Sequence, residues 1–230
     1  KNYLPKLSAG ELIGTFAHNE TTSSPSIENL KCEFNNGRLN GTKIAVPDGD
    51  IASISIVSAK EGDKVVLCVV NLSAEGVEIT NQNTLDPSRS HASITFKNVE
   101  SEILGKGEDG WQNLQEVLDR AAVLFAFEQL GGAEACMNMA KEYALGRFAF
   151  GRPIASFQAM KHKIADMYIA VELARSNCYY GAWALSTNAS ELSTAAATSR
   201  VSASKAFYEC SKENIQTHGG MGFTWEFDCH

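Results

Sequence analysis

Arg147, Gly151, Arg152 and Pro153 stand in one short turn between two long helical patterns. Two cations on a stiff loop can grip an anion, because a guanidinium offers a planar fork of N–H donors to phosphate or carboxylate oxygens. They can equally be solvated surface arginines, and spacing alone does not separate the two readings. His162 and His218 are the imidazoles nearest this chemistry; nothing beside them in sequence makes them more than surface or polar wall. Cys32, Cys68, Cys136, Cys178, Cys210 and Cys229 contain no CxxC pair. A metal site is therefore not expected, and reduced thiols acting as small core residues are.

The turn needs elements to hold it. After it, Met160, Ile164, Met167, Val171, Ala174, Cys178, Gly181 and Leu185 recur in alternating steps of four and three, one stripe of a helix packed on other helices. That helix is expected over about 156–186 with Ser156 as N-cap. A preceding helix is expected from Trp111 to about Gly146, with Asp109 or Gly110 near its cap. Gly131-Gly132 inside it costs about 1 kcal/mol each relative to Ala and implies close helix contact or a bend. A third, Ala- and Ser-rich helix is expected over about 191–217. Short turns between them imply antiparallel neighbours.

From about Leu30 to Val99 the texture is β. Ile51–Val57 alternates, Lys64–Asn71 is a continuous apolar run suited to a buried strand, and Gly76–Ile79 and Ala92–Phe96 add two more. Leu12–Ala17 is a further strand. Asn36-Gly37, Asn40-Gly41, Asp48-Gly49 and Glu61-Gly62-Asp63 read as turns. The fold class is thus α+β: an antiparallel β barrel or sandwich, residues 1–105, followed by an up-down α-helical bundle, residues 106–230.

The 230 residues suffice for one or two domains. A net charge of −7 argues against a nucleic-acid partner. No apolar run reaches the roughly 20 residues that span a bilayer, no signal peptide is visible, and the thiol usage points to the cytoplasm. The chain starts without Met and stops directly after a glycine-rich segment, so a piece of a longer chain is expected.

Three segments together carry a resemblance. GRFAFGRPIASFQAMKHKIADM (Gly146–Met167), NIQTHGGMGFTWEFDCH (Asn214–His230) and YLPKLSAGELIGTFAHNE (Tyr3–Glu20) resemble the acyl-CoA dehydrogenase family in order and spacing. GTKIAVPDG (Gly41–Gly49) and TWEFDCH (Thr224–His230) resemble a subgroup from bacterial degradation of steroid side chains and other large acids. The family fold is an N-terminal helical domain, a middle β domain and a C-terminal four-helix bundle. This chain would hold the second and most of the third.

The resemblance implies FAD as cofactor and an acyl-CoA thioester as substrate. A carboxylate base takes the α proton while the β hydrogen leaves as hydride, which requires a polarised thioester carbonyl and a dry site. It implies that Arg147 reaches the pyrophosphate of a neighbouring subunit's FAD, that Phe150 and Gln158 line the same dinucleotide, and that Gln216, Gly219 and Gly220 form a turn over it. Glycines there let the backbone approach phosphates without a Cβ in the way, and the same pair can also be a helix C-cap. It implies that Phe16, Ala17, His18 and Asn19 pack on the flavin ring. A homo- or hetero-oligomer, dimer or tetramer, and an electron-transfer flavoprotein as electron acceptor follow from the same resemblance.

Departures from the pattern open other readings. Asn19 stands where the family has threonine, and Ala45-Val46-Pro47 stands where it has tryptophan-x-threonine. Pro47 has no N–H to donate. In much of the family the base is a glutamate downstream of the glycine-rich segment, beyond His230. In some members it lies early in the first bundle helix, at the position of Ala121 here, with Asp119, Glu128, Glu226 and Asp228 as weak substitutes, so no catalytic residue is assigned. The alternatives are a catalytically silent partner subunit lending residues to a shared FAD site, a related flavin oxidase, and a non-enzymatic helical scaffold.

Overall fold

The computed structural model describes residues 3–23, 25–105, 107 and 109–230. By internal contacts it divides into two compact units, Lys1–Gln115 and Glu116–His230.

In the first unit, a short helix α1 (Leu4–Ser8) precedes strands β1 (Gly14–Ala17), β2 (Glu33–Asn35), β3 (Arg38–Pro47), β4 (Ile54–Glu61), β5 (Lys64–Asn71), β6 (Val77–Gln82), β7 (His91–Glu100) and β8 (Glu102–Ile103). The sheet runs β6-β7-β3-β2-β4-β5-β8, with β1 added beside β4. β6 and β8 end the ladder unpaired with each other, so it is a sandwich-like open sheet and not a closed barrel. Most pairings are antiparallel, as expected, but β1 and β2 each pair with β4 in parallel. Parallel neighbours need a long crossover: β3 lies between β2 and β4 along the chain, and the polar stretch between Asn19 and Leu30 lengthens the connection from β1.

The local reasons are plain. β5 is apolar throughout and buried at all six interior positions, as a strand covered on both faces must be. β7 alternates buried and half-buried residues along His91–Phe96. Asn36 and Gly37 both take positive φ, 51° and 78°, which closes the β2–β3 hairpin with the twist that favours such turns. Asn40-Gly41 is not a turn. It lies inside β3 at a register shift, where a Cβ on Gly41 would sit 2.8 Å from Cys32 Cα. The core beneath the sheet joins Ala17, Leu39, Val57, Val66, Val70, Ile94 and Phe96.

The second unit holds most of α2 (Gly110–Gly146), then β9 (Phe148–Ala149), β10 (Arg152–Pro153), a single 3₁₀ turn (Ile154–Ser156), α3 (Gln158–Thr187), α4 (Leu192–His218) and a second 3₁₀ turn (Gly219–Phe223). The predicted stripe of α3 is buried at Met167, Val171, Ala174, Cys178 and Gly181, and then shifts to Ala184. Ser156 does not cap α3. Phe157 is the N-cap without a side-chain bond, and the Ser156 hydroxyl donates to Pro153 O at 2.7 Å inside the 3₁₀ turn.

Cross-helix pairs fix the directions. Glu134 meets Arg175 and Arg120 meets Asn188, so α2 and α3 are antiparallel. Met139 meets Asn214 and Tyr143 meets His218, so α2 and α4 are parallel. The core is built from small residues, Ala133, Ala140, Ala174, Ala203, Ala206 and Cys210 among them. At Gly132 a Cβ would lie 2.7 Å from the Phe207 ring, so this glycine lets α4 approach, whereas Gly131 faces open space. Among the described residues, no helix is long and apolar enough to cross a membrane.

Candidate functional site

The turn after α2 is a small β-hairpin. The Arg147 N–H donates to Tyr143 O at 2.8 Å, continuing the helix by one residue. Phe150 and Gly151, with φ of 55° and 78°, reverse the chain between β9 and β10, and the Ile154 N–H donates back to Arg147 O at 2.8 Å. The hairpin separates its two arginines. Arg152 lies 4.0 Å over the Phe157 ring, a cation–π contact that occupies its face. Arg147 is exposed and forms no ion pair among the described residues. Phe150 meets Phe157 edge-on at 6.3 Å yet remains 96% exposed, and Gln158, the first residue of α3, is exposed beside them. A large aromatic left in water at the tip of a hairpin is informative in a way that a scattered surface apolar residue is not.

α4 ends on the second segment. Gly219 takes φ 61° and ψ −137°, a backbone region restricted to glycine, and its N–H donates to Gln216 O. Gly220 has nothing within 4 Å of where a Cβ would stand, while a Cβ on Gly222 would press to 2.7 Å from Ile215 O. Gly219 serves the turn, Gly222 serves packing, and Gly220 leaves a bare, open backbone. Gln216 is exposed on the last turn of α4.

His218 joins the two segments. Its ring stacks on Tyr143 at 4.1 Å and meets Phe227 edge-on at 5.3 Å. Its Nδ1 lies 2.9 Å from Asn214 O, and because a carbonyl only accepts, the proton sits on Nδ1. Tyr143 is one turn before Arg147, and His218 immediately precedes Gly219. The stack therefore brings the hairpin and the glycine turn to one end of the helical unit. This positioning role of a buried histidine was not visible in sequence, since Tyr143, on which it stacks, is far from it along the chain. The exposed fork of Arg147, the bare Gly220 backbone and the exposed Phe150 ring fit an anionic ligand with flat, apolar parts, which is the chemistry of a dinucleotide.

In the β unit, Phe16 and Ala17 end β1, paired with Ile56 and Val57. Ala17 is fully buried in the core, so it offers a ligand its backbone only. His18 stacks on Phe16 at 5.1 Å, and its Nδ1 is buried without a partner among the described residues. Burial, and then the Lys43 cation, push its imidazole below the ordinary range. Asn19 accepts the Ile44 N–H at 2.9 Å. Ala45, at positive φ, gives its N–H to Gln82 Oε1 at 2.9 Å, so with Pro47 lacking an N–H this bulge has little to donate.

None of the four carboxylates named above is poised as a base. Arg120 binds Glu116 at 2.7 Å and Asn188, leaving the half-buried Asp119 without that partner. Glu128 and Asp228 are exposed. Glu226 is exposed too, its carboxyl held below the usual range by the Thr224 hydroxyl and its own N–H. A proton acceptor for carbon wants the opposite, a carboxyl raised by burial. Among the described residues no cluster of three or more His, Cys, Asp or Glu side chains could hold a metal ion.

Comparison with known proteins agrees with this layout. Residues 108–230 match the family described as acyl-CoA dehydrogenase, C-terminal domain. The chain is 37% identical over 202 residues to acyl-CoA dehydrogenase IpdE2 of Mycobacterium tuberculosis, covering 86% of this chain and 56% of that protein. Butyryl-CoA dehydrogenase from Megasphaera elsdenii superposes with a TM-score of 0.90 at 25% identity, covering 99% of this chain and 63% of that one. A variant of the steroid ACAD Tcur3481-Tcur3483 superposes with a TM-score of 0.85 at 26% identity, covering 100% of this chain and 62% of that one. The chain thus spans somewhat more than half the length of the proteins it matches. The match to the relative covers most of the chain, the solved folds cover both units, and the helical unit matches the family by sequence alone: the chain belongs to the acyl-CoA dehydrogenase family.

Proposed function

We propose that this chain is part of an FAD-dependent enzyme that removes the α proton and β hydride of an acyl-CoA thioester. One observation carries the reading: in a chain of this family, the helical unit sets Arg147, exposed and without an ion pair among the described residues, and the bare Gly219-Gly220 turn at the same end. When bound, FAD supplies the acceptor for the β hydride. Arg147 binds the pyrophosphate of a neighbouring subunit's FAD through its planar fork, and Gly220 allows close backbone approach. Phe150, Gln158 and Gln216 line the dinucleotide. Phe16, Ala17, His18 and Asn19 pack along the flavin ring, with the backbone of Ala17 and the half-buried His18 keeping water away. Because Arg147 serves a neighbour, the active form is a dimer or a dimer of dimers. The likeness to IpdE2 and to a steroid ACAD favours a large acyl group, and the electron acceptor is an electron-transfer flavoprotein, as the family implies.

A second reading is favoured by a specific observation. The Ala45–Pro47 bulge has its N–H donor at Ala45 already bound to Gln82. A silent subunit lending Arg147 and the glycine turn to a partner's FAD fits that fact.

The absorbance spectrum of the purified protein, expressed alone and with any subunit encoded beside it, separates the readings. About one flavin per chain when expressed alone supports the self-sufficient enzyme; flavin only in the co-expressed complex, near half occupancy, supports the shared site. Arg147→Ala should lower flavin content, with an unchanged unfolding temperature of the FAD-free protein. Unchanged flavin content in that variant removes Arg147 from the site.

A further inference from the structure

Lys43 is the largest fully buried side chain among the described residues, at 0% exposure in the middle of the β unit. An ammonium there is costly unless every proton finds an acceptor. It has three protons and three acceptors: Glu20 Oε1 at 2.7 Å, Ser58 Oγ at 3.1 Å and, more distantly, His18 O at 3.5 Å. Glu20 is nearly as buried, its side chain 9% exposed. Its two oxygens also accept the N–H groups of Lys31 and Cys32, at 2.6 and 2.9 Å. One ion pair therefore ties four pieces of chain: the exit of β1, the lead into β2, β3 and β4. Burial holds the Lys43 amine below its ordinary range, with the Glu20 carboxylate opposing that shift.

Such a pair seldom adds stability over apolar residues of the same shape, because desolvating two charges offsets their attraction. What it adds is direction. An apolar contact tolerates sliding, whereas three directed bonds to one ammonium do not. The residue next to Lys43 shows where that direction acts: the Ile44 N–H donates to Asn19 O at 2.9 Å. The ammonium and this backbone bond bracket His18 and Asn19 from both sides.

We propose that Lys43 and Glu20 are positioning residues, a buried ion-pair clasp that sets the backbone of His18-Asn19 against β3 before any flavin binds. The inference rests on the flavin-facing reading of Phe16–Asn19 given above. The clasp touches neither cofactor nor substrate; it acts through the strand exit that does.

The test uses the full protein, with its partner subunit if it needs one. Lys43→Met alone leaves Glu20 as a buried, unpaired charge and is expected to fold poorly. The informative variant is Lys43→Met with Glu20→Gln, which removes both charges and keeps both shapes. Its FAD-free form should unfold within a few degrees of the unmodified protein. It should bind FAD on the order of tenfold more weakly, the loss of about one well-placed interaction, and the visible absorption band of the bound flavin should shift. Unchanged affinity and an unchanged band in a folded double variant overturn the proposal. A second measurement needs no variant: in the FAD-free protein the Ile44 amide should exchange with solvent only through global unfolding. Exchange of Ile44 by local opening overturns the clasp even if the double variant does not fold. An unmodified protein that takes up no FAD, alone or with a partner subunit, removes instead the reading beneath it.

Discussion

Gly220→Val separates ligand from fold more cleanly than any other substitution in the glycine turn. A Cβ at this position meets nothing within 4 Å, and Gly220 is not among the residues with positive φ. The folded chain should accept the side chain at a cost within about 0.5 kcal/mol, the range of an uncomplicated surface change. That is a shift of about 2 °C for a chain of this length. If the bare backbone faces FAD, the same branched side chain enters space the ligand needs. Overpacking of that kind costs about 1–3 kcal/mol, or roughly 5- to 150-fold in affinity. Gly222→Ala is the control. Its Cβ would meet Ile215 O at 2.7 Å and His218 Cβ at 2.9 Å, so it should lower folding stability by about 1–3 kcal/mol. The assay is the flavin-to-protein ratio as purified, the FAD dissociation constant by titration of the stripped protein, and the unfolding temperature without FAD. Full flavin content and an unchanged dissociation constant in Gly220→Val would refute the placement of this turn at the cofactor. An unfolding temperature as low as that of Gly222→Ala would refute the claim that the position is open.

The adjacent glycines of α2 should part company. Gly131→Ala, with open space around it, should gain up to about 1 kcal/mol from helix propensity; Gly132→Ala makes the same gain but presses the Phe207 ring at 2.7 Å, so its denaturant midpoint should lie below that of Gly131→Ala. Equal midpoints would contradict the close α2–α4 approach. Burial raises the thiol of Cys32 to about 11, of Cys68 to about 12 and of Cys210 to about 11, from an ordinary 9.0. Above pH 9 the unfolded chain loses thiol protons that the native state keeps, so this contribution is fully present below pH 9 and is lost as pH rises toward 11–12. Lys43, lowered by burial, acts in the opposite sense, but one amine stands against three thiols. Denaturant midpoints at pH 8 and pH 10 should fall accordingly, and a thiol reagent at pH 8.5 should leave Cys32, Cys68 and Cys210 unmodified until the chain is unfolded. A rising midpoint, or rapid labelling of the native protein at these three, would contradict their burial.

Local signals told a good deal about this protein. The continuous apolar run Lys64–Asn71 is β5 to the residue, because a strand buried on both faces has no polar alternation to confuse. The stripe from Met167 to Gly181 is the buried face of α3, because helical periodicity depends only on spacing. Asn36-Gly37 is a hairpin turn because its backbone conformation is a property of those two residues. The motifs around Arg147 and Gly219 carried the family for a similar reason: each is short and self-contained.

What the sequence did not reveal depends on partners distant along the chain. Arg38–Pro47 reads as polar and turn-rich, yet it is a ten-residue strand, because β7 supplies its hydrogen bonds and Cys32 leaves room for nothing but glycine at Gly41. Lys43 looks like a surface lysine until Glu20 and Ser58 are brought to its ammonium. Arg147 and Arg152 are alike in sequence, and only the fold sets the Phe157 ring beneath one of them. His218 gains its place from Tyr143, 75 residues earlier, which shares no sequence signal with it. Periodicity and turn chemistry are written within a few residues of where they act. The pairing of a buried charge, or of one arginine with a ring, is settled only when the chain has folded, because its energy lies in contacts that spacing does not encode.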